Sequence, residues 1–199
     1  MTAETERTML DRLCIRYGKT YTNGRYVGRE FARAEHVPVG LGFERSRIAD
    51  FLAVRMFLSH GYEHLTYLEQ KALASEGVIS WASRTPTLIG HEVKVSRSDW
   101  LTELRDPEKA EAWKRYCHGW YLVVSDAAIV HNGELPEGWG LMVKHGRSLR
   151  MVVRAPRLTP EPLDMMHTAA LVRAVMHTES REAARDARRD IAGEWGFRA

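Results

Sequence analysis

The stretch Thr87-Leu88-Ile89-Gly90-His91-Glu92-Val93-Lys94-Val95-Ser96 decides how this chain is read. It is a short, largely apolar run of strand length. Side chains alternate along a strand, so Glu92 and Lys94 project to one face. Ile89, His91, Val93 and Val95 project to the other, toward a packed layer. Charged groups on so apolar a strand need partners, because a buried carboxylate is costly unless it is paired or bound to a metal.

A second apolar run lies upstream, Arg47 to Val54, with one acid inside it, Asp50. This suits a strand buried on both faces. Asp50 shares a face with Leu52, while Ala49 and Phe51 take the opposite one. Two carboxylates and an ammonium group on adjacent strands would satisfy one another around a divalent cation. Mg²⁺ prefers oxygen ligands, usually one or two carboxylates plus waters. Asp50 and Glu92 would supply them, with the carbonyl of Val93 as a further ligand. The ion would polarise a phosphate oxygen and activate a water, and Lys94 would orient that water and offset the charge that builds on phosphorus.

Working outward, Met9, Leu10, Leu13, Cys14 and Tyr17 fall on one helical face, with Gly18 as a left-handed cap. Residues 19–29 are turn-rich, and Glu30 to Val37 reads as a strand stopped by Pro38. Residues 62–74 look helical. After the central strand, Ser98 or Asp99 caps a short helix and Asp106-Pro107-Glu108 starts another, with Ala110, Trp113 and Cys117 on one face. Trp120 to Ser125 is a buried strand, and Gly140 to Arg154 a hairpin turning at His145-Gly146. A proline-rich linker, residues 155–162, precedes a helix over 163–190 with a break near Ser180. Strands alternating with helices give an α/β domain, residues 1–155, followed by a linker and C-terminal helical extension, 156–199.

Composition narrows the function classes. The chain has 199 residues, 44% hydrophobic and 28% charged, which excludes a disordered polyelectrolyte. No run approaches the roughly 18 apolar residues of a membrane span, and the charged start MTAETERTMLDRL lacks a signal-peptide core. No membrane partner is expected. Two cysteines, Cys14 and Cys117, form no disulfide framework and fit a reducing cytoplasm. The net charge of +3 excludes a histone-like polycation but permits nucleic-acid binding through a local patch. That excess sits in the first 60 residues, with ten basic residues against seven acidic.

Asp50 with Glu92-Val93-Lys94 resembles the PD-(D/E)XK nuclease superfamily, whose fold is restriction-endonuclease-like. The surrounding runs are more specific: Arg47 to Phe51, His91 to Trp100, Trp120 to Val124, and Leu135-Pro136-Glu137-Gly138-Trp139-Gly140-Leu141 resemble bacterial DNA-repair proteins of the MmcB type and related phage proteins. The resemblance covers roughly residues 25–155. It implies a mixed central sheet flanked by helices and a nuclease, dependent on Mg²⁺ or Mn²⁺, that hydrolyses phosphodiester bonds in DNA during repair or phage DNA processing. Asp50 and Glu92 would be the metal ligands and Lys94 the catalytic lysine. Glu35 best matches the additional acid that commonly precedes the aspartate. Lys109 matches the basic residue on the following helix, with Lys114 as second choice. Met56 to Pro86 would be an insertion carrying an extra helix toward the substrate.

Arg45, Arg47, Arg97, Arg105 and Lys109 flank the two strands and are the expected DNA contacts. Arg181, Arg185 and Arg188 share a face of the C-terminal helix, but neighbouring acids offset them. That helix also offers a surface for a second copy of the chain. Two other functions compete: a non-catalytic nucleic-acid-binding module of the same fold, and a zinc peptidase. The second rests on His60-Gly61-Tyr62-Glu63-His64, an H-x-x-E-H spacing interrupted by a glycine. Trp81 or Trp100 could stack on bases. No phosphate-binding glycine loop is present.

Overall fold

The computed structural model describes residues 4–18, 21–22, 25–26, 31–39, 47–55, 86–106 and 108–196. In chain order these form α1 (Glu6–Arg16), β1 (Tyr21–Thr22), β2 (Arg25–Tyr26), β3 (Phe31–Pro38), β4 (Ile48–Arg55) and β5 (Thr87–Lys94). There follow α2 (Arg97–Arg105), α3 (Glu108–Lys114), β6 (Gly119–Val124), β7 (Trp139–His145), β8 (Ser148–Val153) and α4 (Met165–Gly196). Strands β1 and β2 make a separate two-residue ladder. The other six form one mixed sheet in sequence order, β3 to β8. β3, β4 and β5 pair antiparallel, β5, β6 and β7 parallel, and β7 and β8 antiparallel. The chain thus has the expected α/β fold, a mixed sheet with a C-terminal helix.

Most boundaries follow from local chemistry. Thr5 caps α1 and accepts the Thr8 amide. That helix ends at Tyr17, whose amide bonds back to Leu13. Gly18 is not left-handed as expected. It is needed for close approach, since a Cβ there would lie 2.8 Å from the Cys14 carbonyl oxygen. Ser96, not Ser98 or Asp99, caps α2 and accepts the Asp99 amide at 3.2 Å. The β7–β8 hairpin turns at Gly146, with φ of 58°.

The two faces of the sheet carry separate cores. α1 covers one, packing Met9, Leu10, Leu13, Cys14 and Tyr17 onto Phe51, Val93, Tyr121, Val123 and Met142. His91 lies in this layer, fully buried between Tyr17 and Tyr121. Burial drives its pKa down to about 3, so the ring is neutral. The other face packs Leu52, Leu88 and Leu122 against Trp100 and Trp113 of α2 and α3 and against Leu171 and Ala174 of α4. Cys14 and Cys117 are free thiols in different cores, so their pairing is prevented by the fold rather than by the redox compartment.

The C-terminal helix is one continuous element without a break at Ser180, and it is not an appendage. It covers the edge strand β3. The Thr178 hydroxyl accepts the Glu35 amide at 3.0 Å, which satisfies a backbone group that an edge strand would leave open. Arg33 reaches Glu179 at 3.0 Å, and Arg181 reaches Glu35 at 2.6 Å. Ala170, Leu171 and Ala174 are buried. Residues 165–188 therefore belong to the same packed unit as the sheet. No described helix is long and apolar enough to cross a membrane.

Candidate active site

Asp50, Glu92 and Lys94 meet at one end of the sheet, and the pairing of β4 explains how. β4 stays paired with β3 as far as Ile48, but its last partner on β5 is the Phe51–His91 pair. One residue further on, the Asp50 carboxylate accepts the Val93 amide at 2.8 Å. A side chain thus replaces the backbone ladder where the two strands part. Across the sheet at the same level is His36, the one non-glycine residue with positive φ (49°) among those described. The alternation breaks here on both strands, since Ala34 and Val37 of β3 share one core. Phe51 packs under α1, whereas Ala49 joins Val37 in the other core.

On β5 the alternation holds. Val93 packs in the α1 layer, while Glu92 and Lys94 turn toward α2 and α3. Glu92 is 1% exposed. Its Oε1 accepts the Lys94 ammonium at 2.5 Å and the Lys109 ammonium at 3.0 Å. Glu103, from α2, accepts the same two groups on Oε2, at 3.0 Å from Lys94 and 2.9 Å from Lys109. With Asp50 beside them, three carboxylates face two ammonium groups. Burial and the Asp50 charge push the Glu92 carboxyl up to about 8, against the pull of Lys94. Burial also works against the charge on Lys94, but Glu92, Asp50 and Glu103 outweigh it and raise its pKa. Lys109 is raised in the same way. Both lysines are cations, and the three carboxyl groups outnumber them.

Glu103 is the residue that motif reading missed. Its signal was present: it falls three residues after Trp100 on a short helix, so it shares the buried face of that tryptophan.

The other expected site residues are placed as follows. Glu35 does not join the cluster. Arg7 holds it with two bonds of 2.7 and 2.6 Å, Arg181 donates to it at 2.6 Å, and the Cys14 thiol donates at 3.2 Å. It is an ion-pair hub between α1, β3 and α4. Arg97 forms a bidentate pair with Glu134 and also donates to the Ile129 carbonyl at 2.8 Å. It ties α2 to the loop before β7 and is not a free phosphate contact. Lys109 faces Glu92 and Glu103. Lys114 is held by Glu111 at 3.0 Å. Arg47 is partly exposed with Glu108 3.8 Å away, and Arg105 is exposed with no acidic partner among the described residues. Trp100 is fully buried, so base stacking is closed to it. Arg45, Trp81, the His60–His64 motif and nearly all of the 56–86 stretch lie outside the described residues.

The structure carries two further features. The ligand atoms of Glu6, His36 and Asp50 lie within 4.8 Å of one another. The outer side of α4 exposes Met165, Val172 and Met176.

No protein-family model matches the chain, and no curated protein matches it. Among solved structures, a protein of unknown function from Silicibacter pomeroyi is similar at a TM-score of 0.43 and 16% identity, over 80% of this chain and 82% of that one.

Proposed function

We propose that this chain is a nuclease, dependent on Mg²⁺ or Mn²⁺, that hydrolyses phosphodiester bonds in DNA. The observation that carries the reading is the meeting of three carboxyl groups, buried Glu92 and Glu103 and half-buried Asp50, with only two ammonium groups among them. A hard divalent cation is the group that such a site lacks. Asp50 and Glu92 would hold it. When bound, it would supply a polarised phosphate oxygen and an activated water.

The chain's own residues do the rest. Lys94 stays protonated, so it acts as a charged donor and not as a base. It can hold the attacking water and offset charge on the phosphate oxygens. The water oxygen bonds to phosphorus and gives up a proton to solvent, the bond to the departing sugar oxygen breaks, and that oxygen takes a proton from solvent. Arg47 and Arg105 are the described arginines open to phosphates beside the site.

One observation favours a second reading. Lys94 and Lys109 already bond to both Glu92 and Glu103, which is what a structural remnant of such a site would also show. This remnant would bind DNA without cutting it.

Incubating single-stranded, duplex and branched DNA with the protein separates the two. Cleavage is expected with Mg²⁺ or Mn²⁺ and not with EDTA. Asp50→Asn and Glu92→Gln should each abolish cutting while DNA binding, measured in Ca²⁺, persists. Lys94→Ala should lower turnover by about 10²–10³-fold, the effect of losing one transition-state donor. A metal-replete protein that shifts DNA but cuts none of these substrates would establish the remnant.

A further inference from the structure

Glu92 and Glu103 carry the same two lysines, and each does so on a single oxygen. Lys94 Nζ lies 2.5 Å from Glu92 Oε1 and 3.0 Å from Glu103 Oε2. Lys109 Nζ lies 3.0 and 2.9 Å from the same two atoms. The second oxygen of Glu103, Oε1, is buried and accepts no hydrogen bond among the described residues. Glu103 itself is 6% exposed. Buried acceptors in folded proteins are nearly always satisfied, so a vacant one beside two donors points to another arrangement that fills it.

We propose that Glu103 is the alternate seat of the two lysines: when a divalent cation takes Glu92, Lys94 and Lys109 pass wholly to Glu103, one on each oxygen. The proposal rests on the metal reading above. A cation and two ammonium groups cannot share one carboxylate oxygen, because like charges at such separations repel strongly in a buried site. The ion's repulsion favours release of Lys94 and Lys109 from Glu92, and both already touch Glu103, so a short shift suffices. Glu103 comes from α2 and not from the strand that bears Glu92, so it can stay in place while Glu92 turns to the ion. It also keeps Lys94 beside the water and phosphate instead of letting it swing into solvent. Glu103 acts through the lysines and is therefore a positioning residue.

The test is a calorimetric titration of the full chain with Mn²⁺, without DNA. In Glu103→Gln the lysines have Glu92 as the carboxylate they contact and compete with the ion for it. Mn²⁺ affinity should fall about 10-fold, the scale of a lost outer-shell partner. Glu103→Asp keeps the carboxylate and should recover most of that loss. In a Lys94→Met background, where one competitor is gone, Glu103→Gln should cost clearly less than in the wild type, a non-additivity that a purely structural role would not produce. Wild-type Mn²⁺ affinity in Glu103→Gln, or an equal loss in both backgrounds, overturns the hand-over. A wild type that binds no Mn²⁺ overturns it together with the metal reading. A wild type that binds Mn²⁺ with the expected variant pattern but cuts no DNA removes the nuclease reading and leaves the hand-over standing.

Discussion

A methyl group added at Gly90 would lie 2.1 Å from the Trp120 ring, because the two residues are register partners on β5 and β6. The same pairing recurs on the opposite face, where Gly140 stands against Tyr121. Each aromatic side chain lies across a glycine on the neighbouring strand. Gly90→Ala should cost about 1–3 kcal/mol of overpacking, read as a lower urea midpoint with an unchanged slope. Glu35 gives a prediction in pH. Burial raises its pKa, but Arg7, Cys14 and Arg181 win, and the value lies below the ordinary 4.5. A depressed carboxylate stabilises the fold above its unfolded pKa and loses that contribution as pH falls through the folded value. Urea midpoints taken from pH 7 down to pH 3 should therefore drop more steeply in the wild type than in Glu35→Gln. Parallel acid limbs would show that Glu35 contributes nothing to acid sensitivity.

At the scale of elements, α4 and α2 hold positions that their sequences disguise. α4 is rich in arginine and reads as a solvated rod, yet its Thr178, Glu179 and Arg181 bond to β3. Thr178→Val would leave the Glu35 amide without an acceptor, at a cost of about 1–3 kcal/mol. A chain cut after residue 162 should fail to fold, since Ala34 and Val37 would lose Leu171 and Ala174 from their core; a stable, soluble truncation would return α4 to the rank of an appendage. For α2, the bidentate Arg97–Glu134 pair fixes the helix to the loop before β7. Arg97→Ala should lower the melting temperature and leave the salt dependence of DNA binding unchanged.

The whole molecule carries a net charge of +3, so any affinity for DNA depends on few residues. Arg97 and Lys109 are engaged by acids, which reduces the phosphate contacts that flanking charge alone would suggest. Two to three contacts imply a slope of roughly −2 to −3 in log K against log salt for duplex DNA. Arg105→Ala should reduce that slope by about one unit across all sequences. A titration at several salt concentrations with Ca²⁺ in place of Mg²⁺ measures it. A slope indifferent to Arg105 would move the DNA path away from α2.

Two strands with lone acids, the E-x-K triplet, the hairpin and the helix caps are local patterns, governed by alternation, capping and turn chemistry within a few residues. These determined the α/β class, the common face of Glu92 and Lys94, and the layer that holds Val93. Tertiary structure decided what depends on residues far apart in the chain. Glu35 and Glu103 are both acids in amphipathic surroundings, and no local spacing names the cations each one meets. Folding sends one to Arg7 and Arg181, 28 and 146 residues away, and the other to Lys94 and Lys109 beside Glu92. Charge partners in space, and not charge type in sequence, settle whether a carboxylate locks a fold or joins a site, because burial makes an acid's energy depend on the cations it meets.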